Sequence, residues 1–435
     1  MSAEVIAAPG GLAGTLAAIP SKSAAHRALI CAALSAGPTR LHCASGMAAD
    51  IRATVACLRA LGAEITETGD GFEVTGGRSV GVADLRVGES GTTLRLLLPV
   101  VAALGRSARF HRAGRLPARP LSPLYEELVA HGCVLGEPTT EPLTLSGQLE
   151  PGVFHLDGSV SSQFISGLLL AFPLLEGPSE LRLCGALESR PYVEMTLAAM
   201  RASGVEVVFD GGTFRCAAPQ NYRPPRELQV EGDWSNAAFW LCAGALSERP
   251  VTVTGLDPVS RQGDRAVVDI LRSFGAVVET SATAVTVTGG GLAGIDIDAR
   301  DIPDLVPILS VVAAAAEGTT RITGAARLRL KESDRLAAVA DVLGRLGARI
   351  EVRDDGLTIK GTGRFSPSGE KRPVPLRGAT VDAWGDHRIA MMAAIATLIC
   401  EGPVSITGAH AVNKSYPRFF EDFEALGGTT SPGAV

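Results

Sequence analysis

Two cations and several hydroxyls crowd the start of an apolar run near the N-terminus. Ile19-Pro-Ser-Lys-Ser-Ala-Ala-His-Arg27 places Lys22 and Ser23 at a helix start, with Arg27 one turn beyond Ser23 on the same face. The free N–H groups and the positive end of the helix dipole attract phosphate or carboxylate, and Lys22 and Arg27 add full charges. Ser23 alone would read as a cap; with two cations beside it, the segment is a candidate anion cradle. The same kind of junction recurs at Gly88-Glu-Ser-Gly-Thr-Thr93, Ser159-Val-Ser-Ser-Gln163, Asp233-Trp-Ser-Asn236, Asp301-Ile-Pro-Asp304 and Asp386-His-Arg388. Any one of these is an ordinary cap. Together they suggest helix starts gathered around a shared ligand. Arg119-Pro120, Ser189-Arg-Pro-Tyr192, Lys331-Glu-Ser-Asp-Arg335 and Asn413-Lys-Ser-Tyr-Pro417 supply further cations. Arg is the better bidentate clamp for carboxylate and phosphate, which singles out Arg119, Arg335 and Arg388. Glu332, beside Lys331 at the start of an amphipathic helix, could give or take a proton if buried near a substrate.

The elements that must carry these residues repeat. A helical stretch ending in Gly and continuing as a strand occurs as LRALGAEI, LVAHGCVL, MRASGVEV, LRSFGAVV, LGRLGARI and FEALGGTT, with glycines at 62, 132, 204, 275, 347 and 427. The spacings of 70, 72, 71, 72 and 80 residues leave little of the chain outside six units. Each unit also holds a more apolar helix before a Gly or Pro turn and a short strand, for example FWLCAGALSERPVTVTG and PILSVVAAAAEGTTRITG. The order is strand, apolar helix, strand, amphipathic helix, hairpin-like pair. Helices that are hydrophobic nearly all round must be buried, so helices lie inside and sheets outside. The expectation is an α/β protein of two inside-out barrels with three βαβαββ units each. A Pro-rich break at 218–228 marks the boundary, and a continuous six-unit solenoid is the disfavoured alternative.

Bulk properties narrow the function classes. The 435 residues are 46% hydrophobic and carry a formal charge of -6, with aromatics at 5%; a nucleic-acid backbone normally needs a basic face, and stacking needs aromatic platforms. No nucleic-acid partner is expected. The eight cysteines (31, 43, 57, 133, 184, 216, 242 and 400) show no C-x-x-C pair or zinc spacing, and read as reduced thiols of a cytoplasmic protein. The runs 164–175 and 308–316 are too short to cross a bilayer, and no targeting segment is evident at the N-terminus.

Taken in order, SKSAAHRALICAAL, GESGTTLRLLLP, ARPLSPL, DGSVSSQFISGLLL, SRPYVEMT, EGDWSNAAF, DIPDLVPILSVVA, LRLKESDRL, GDHRIAMMA and NKSYPRFF resemble the EPSP synthase (3-phosphoshikimate 1-carboxyvinyltransferase) family of enolpyruvyl transferases, over nearly the whole chain. The resemblance implies a domain of residues 20–231, a second of residues 1–19 plus 232–435, and an active site in the cleft between them. It implies transfer of the enolpyruvyl group of phosphoenolpyruvate to the 5-hydroxyl of shikimate 3-phosphate, in the pathway to chorismate and the aromatic amino acids, by a cytoplasmic monomer with no metal or organic cofactor and no membrane partner. Carried over by position, shikimate 3-phosphate would contact Lys22, Ser23, Arg27, Ser161, Ser162, Gln163, Ser189, Asp301 and Lys331. Phosphoenolpyruvate would contact Lys22, Gly91, Arg119, Gln163, Arg335, Arg388 and Lys414. The resemblance implies Asp301 as the base at the 5-hydroxyl, Glu332 as the acid at the enol methylene, and Lys22 as a third catalytic group.

Three positions depart from the family pattern: Glu89 where many members have Asn, Leu96 where Pro is common, and Arg327 where some have Asn. The sister family, UDP-N-acetylglucosamine 1-carboxyvinyltransferase, is the alternative. It usually carries a Cys five residues before the Arg-Pro pair; here that residue is Gly114, and the SSQ and KESDR segments fit the shikimate enzyme better. A non-catalytic anion-binding repeat protein would have no need of Asp301 and Glu332.

Overall fold

The computed structural model describes residues 4–43, 48–77, 81–365 and 376–433. The chain forms two compact units, a central one of Pro20–Val230 and a terminal one of Met1–Ile19 with Glu231–Val435. The Pro-rich stretch 218–228 lies inside the central unit. There Tyr222 is buried and its hydroxyl donates to the Leu170 carbonyl at 2.8 Å, and Glu227–Gln229 forms an edge strand.

Within the central unit, the helices Lys22–Ala33, Gly91–Ala103 and Ser162–Ala171 are buried along most of their length, and the residues around them form one core. Each is flanked by a four-stranded sheet. The sheet orders are 227–229, 39–42, 71–75, 64–68; then 83–88, 108–112, 143–147, 133–135; then 153–157, 179–184, 213–216, 208–210. In each sheet the first two strands run parallel and the others antiparallel. In the second and third sheets a helix between the first two strands returns the chain to the same end and forces their parallel pairing, whereas the hairpin in each sheet pairs its last two strands antiparallel. Strand burial alternates, as in Ala83–Gly88, so one sheet face covers the helices and the other meets water.

The terminal unit repeats the plan around the buried helices Trp234–Ala245, Val306–Ala315 and His387–Ala396. Two of its strands come from the N-terminus. Gly14–Ala17, which precedes the first buried helix in sequence, pairs in parallel with Val251–Thr254, and Val5–Ala8 sits antiparallel between Val404–Thr407 and Thr429–Pro432. The sixth repeat thus takes its last strand from the start of the chain, and Glu227–Gln229 fills the corresponding edge in the first repeat.

The six repeat glycines share one cause. All have positive φ, from 76° at Gly204 to 105° at Gly62 and Gly275, where a side chain would be strained. After Gly62 the Ala63 N–H donates back to the Leu58 carbonyl, as Ala276 does to Leu271 and Ala348 to Leu343. The helix end and the turn into the next strand are therefore set by one residue. All eight cysteines are free and only Cys184 is exposed. Among the described residues no helix is long and apolar enough to cross a membrane.

Candidate active site

In the central unit the polar groups sit at the N-terminal ends of the buried helices. Ser21, not Ser23, caps the first helix, its Oγ accepting the Ala24 N–H at 3.4 Å. Lys22 opens that helix, and its ammonium lies 2.7 Å from Asp50. Arg27, one turn on, is buried. Its Nε donates to Thr196 Oγ1 (2.7 Å), Nη1 to the Ser23 carbonyl (2.7 Å) and Nη2 to the Tyr192 carbonyl (2.8 Å). Burial brings its pKa down to about 10, which leaves it cationic at neutral pH. His26 pairs with Thr54 at 2.7 Å, and Thr54 with Thr93 at 2.7 Å. Burial, with Lys22 and Arg27 adjacent, holds the imidazole well below its usual pKa and therefore neutral.

The second and third buried helices meet at Gly91 and Gln163. Ser90 caps one and Ser161 the other. Gln163 accepts from Arg95 Nη1 at 3.0 Å and donates to Thr92 Oγ1 at 3.0 Å. The Arg119 guanidinium lies against Gly91: a β-carbon on residue 91 would stand 2.8 Å from Arg119 Nη1 and 3.3 Å from Arg95 Nη1. Arg119 Nε is buried and has no hydrogen-bond partner. Ser162 and Ser189 are also buried. Ser189 takes a left-handed conformation (φ 50°, ψ 37°) at the head of the Arg190–Ala202 helix, on a loop whose Glu188 N–H donates to the Gly158 carbonyl. Non-glycine residues held in that region concentrate at functional sites. Lys22, Arg27, Arg95 and Arg119 thus bring four cations to the starts and flanks of these helices, with Asp50 paired to Lys22.

In the terminal unit Arg335 is the hub. Its Nε donates to Asp386 Oδ2 at 2.8 Å, Nη1 to Asp304 Oδ1 at 2.7 Å and Nη2 to Glu332 Oε2 at 2.8 Å. Burial works against its charge, but Asp386, Glu332 and Asp304 outweigh that and raise its pKa further. Asp386 also caps the His387–Ala396 helix through the Arg388 N–H (3.0 Å). Arg388 Nη2 reaches Asp304 Oδ2 (3.1 Å) and Ser235 Oγ (2.9 Å), and Nη1 the Asp304 carbonyl (3.2 Å). The starts of all three buried helices of this unit therefore meet at Arg388. Lys414 donates to the Gly385 carbonyl at 2.8 Å, one residue before Asp386. Burial lowers the Lys331 pKa to about 8, with Asp304 opposing and Arg335 and Arg327 adding to the fall.

One expected residue is displaced. Asp301 is exposed, before the Pro303–Leu305 turn, whereas Asp304 stands on that turn between Arg335 and Arg388. Burial favours the neutral acid at Asp304, but Arg388, Lys331 and Arg335 overcome it and hold the carboxyl far below the usual range. The cause is local: Pro303 starts the turn leading into the buried helix, so residue 304 enters with the helix and residue 301 stays outside. Arg95 also escaped the reading, although a lone charge in the run LRLLLP is itself a signal, because a buried cation needs a partner. Asp50 gave none, and Asp386 was legible as a cap but not as the partner of Arg335. Of the departures, Leu96 is core, Glu89 is exposed with its carboxyl against Gly114, and Arg327 donates to the Arg300 carbonyl.

A sequence model of the EPSP synthase (3-phosphoshikimate 1-carboxyvinyltransferase) family matches residues 6–423. The chain is 39% identical over 433 residues to a 3-phosphoshikimate 1-carboxyvinyltransferase of Clostridium kluyveri, covering 98% of each. It is 40% identical to that of Clostridium acetobutylicum, covering 97% of this chain and 96% of the other. A solved EPSP synthase from Acinetobacter baumannii superposes with a TM-score of 0.82 at 28% identity, covering 99% of this chain and all of that one. The enolpyruvyl transferase NikO from Streptomyces tendae, at 20% identity and a TM-score of 0.77, shares the fold. Matched along nearly its whole length by sequence and by fold, the chain belongs to the EPSP synthase family.

Proposed function

We propose that this protein transfers the enolpyruvyl group of phosphoenolpyruvate to the 5-hydroxyl of shikimate 3-phosphate and releases phosphate, acting as a cytoplasmic monomer. The observation that carries the reading is Arg335, which holds two carboxylates, Asp304 and Glu332, within one cluster of cations. Acid, base and anion clamp stand together there.

In this reading Glu332 gives a proton to the methylene carbon of phosphoenolpyruvate. The neighbouring carbon becomes oxocarbenium-like and the 5-hydroxyl oxygen adds to it, passing its proton to a carboxylate. We assign that base to Asp304 rather than Asp301, since Asp304 is held between Arg335 and Arg388 while Asp301 is exposed. The tetrahedral intermediate then returns a methyl proton to the Glu332 carboxylate and expels phosphate, restoring the double bond and the acid. Arg335, Arg388 and Lys414 of the terminal unit, with Lys22, Gly91, Arg119 and Gln163 of the central unit, would bind phosphoenolpyruvate. Lys22, Ser23, Arg27, Ser161, Ser162, Gln163 and Ser189, with Lys331, would bind shikimate 3-phosphate. Two anions repel each other, and a surplus of fixed cations is the physical requirement for bringing them together. Arg335 and Arg388 now spend donors on Asp304; a dianionic substrate would compete for them and free Asp304 to accept a proton.

The test is phosphate release from phosphoenolpyruvate. Release is expected only with shikimate 3-phosphate present; equal release with UDP-N-acetylglucosamine, or none with either acceptor, overturns the assignment.

A further inference from the structure

Behind Arg388 lies a buried carboxylate that the chemistry above does not use. Asp264 sits on the short turn Gly263–Ala266, almost wholly buried, and accepts a hydrogen bond from the Ser235 hydroxyl. The turn is fixed against the start of the Trp234–Ala245 helix by Gln262, which accepts the Trp234 N–H at 3.1 Å and donates to the Gly232 carbonyl at 2.8 Å. The Ser235 oxygen in turn accepts from Arg388 Nη2 at 2.9 Å. A hydroxyl has one proton. With that proton directed at Asp264, the lone pairs of Ser235 are left to face Arg388.

We infer that Asp264 is a positioning residue, which through the Ser235 hydroxyl fixes the Arg388 guanidinium and thereby sets the affinity for phosphoenolpyruvate. The inference rests on the clamp role proposed above for Arg388. Arg388 Nη2 is held by the Asp304 carboxylate, which the proposed chemistry needs released, and by Ser235, which lies outside the reaction, while Nη1 holds the Asp304 carbonyl. The Ser235 anchor keeps Nη2 in place when the Asp304 carboxylate lets go. Ionised Asp264 strengthens it twice, by orienting the hydroxyl and by attracting the cation. Protonated Asp264 no longer attracts the cation and, able to donate as well as accept, no longer fixes which way the hydroxyl points.

The charged groups facing Asp264 are Asp304 from its turn, Arg388 from its helix and Asp233 from the helix cap. Burial, then Asp304, then Asp233 raise its pKa, opposed by Arg388 and the Ser235 hydrogen bond, and the outcome is about 7. The anchor therefore changes strength across neutral pH.

The experiment compares wild type with Asp264→Asn and Ser235→Ala, using the KM for phosphoenolpyruvate at a series of pH values. At about pH 8, where wild-type Asp264 is ionised, Asp264→Asn is expected to raise that KM about tenfold, with kcat and the KM for shikimate 3-phosphate changing less than about threefold. At about pH 6, where wild-type Asp264 is protonated, the ratio of variant to wild type should approach one. The titration of the ligand itself cancels in that ratio. Ser235→Ala should reproduce the effect, and the double variant should add nothing to it. A ratio independent of pH, or an equal rise in both KM values, overturns the inference. Wild type that fails to turn over both substrates overturns the proposed function instead; the inference is then decided by a crystal structure of Asp264→Asn above pH 7.5. Arg388 displaced from Ser235 supports it, and an unmoved Arg388 overturns it.

Discussion

The Arg119 guanidinium occupies the space a side chain on residue 91 would need, with Nη1 2.8 Å from the position of a Gly91 β-carbon. Gly91 does not have positive φ, and as the first residue of its helix it would tolerate Ala without backbone strain. Since the conflict is with the far end of a flexible side chain, the guanidinium moves and the fold does not. Gly91→Ala should raise the KM for phosphoenolpyruvate about tenfold or more, while changing stability by no more than about 1 kcal/mol. Steady-state kinetics beside a urea titration separate the two effects, and a KM equal to wild type would show that Arg119 does not bind that ligand.

Asp304 and Asp301 are three residues apart and offer opposite expectations. Asp304→Asn removes the carboxylate held between Arg335 and Arg388 and should lower kcat about 100- to 10,000-fold, the range of a general base. Asp301→Asn alters an exposed side chain and should leave kcat within about threefold. The reverse ranking would restore Asp301 as the base and remove Asp304 from the chemistry.

This pair also shows where sequence reasoning stops. The six glycines carried the repeat because positive φ at a helix end is a demand one residue must meet alone, so it leaves a mark at a fixed spacing. Caps at Ser90, Ser161, Asp233 and Asp386 were legible for a similar reason: each satisfies a neighbouring backbone N–H. That residues 1–19 close the second domain came only with the family resemblance; the residues themselves do not encode it, because the partner of Gly14–Ala17 is Val251–Thr254, more than 200 residues away, and nothing local fixes that register. Asp301 and Asp304 differ only in which side of Pro303 they fall on, a question of where the helix enters the core. Asp264 was invisible too, since its role depends on Ser235, nearly 30 residues away, lying between it and Arg388.

Asp386 is the buried partner of Arg335, the two side chains being 0% and 2% exposed. Removing one member of such a pair strands the other charge, so Asp386→Ala should destabilise the terminal unit by about 3–5 kcal/mol. It also deletes the cap on the Arg388 N–H. The folded protein holds the Asp386 carboxyl below its usual range: burial opposes ionisation, but Arg335 outweighs it. A carboxylate of this kind contributes stability above its unfolded pKa of about 4, lost as pH falls through the lower folded value. Wild type should therefore lose stability below about pH 4 more steeply than Asp386→Ala. Urea midpoints measured between pH 3 and 7 check this, and parallel curves would mean the pair contributes no pH-dependent stability.

Lys331 gives the clearest alkaline signature. Burial lowers its pKa to about 8, with Asp304 opposing the fall. Below that pH the ammonium can pair with the phosphate of shikimate 3-phosphate; above it the group is neutral and the attraction is lost. The kcat/KM for shikimate 3-phosphate reports the free enzyme and should decline above about pH 8. The kcat profile, measured on the saturated enzyme, should break at a higher pH, because a bound dianion stabilises the charged lysine. Lys331→Met should give a low kcat/KM that no longer breaks near pH 8, since the titrating group is gone. Lys331→Arg keeps the charge at every accessible pH, so the break should vanish there as well. A break that persists in both variants assigns the titration to another group and removes Lys331 from the phosphate site.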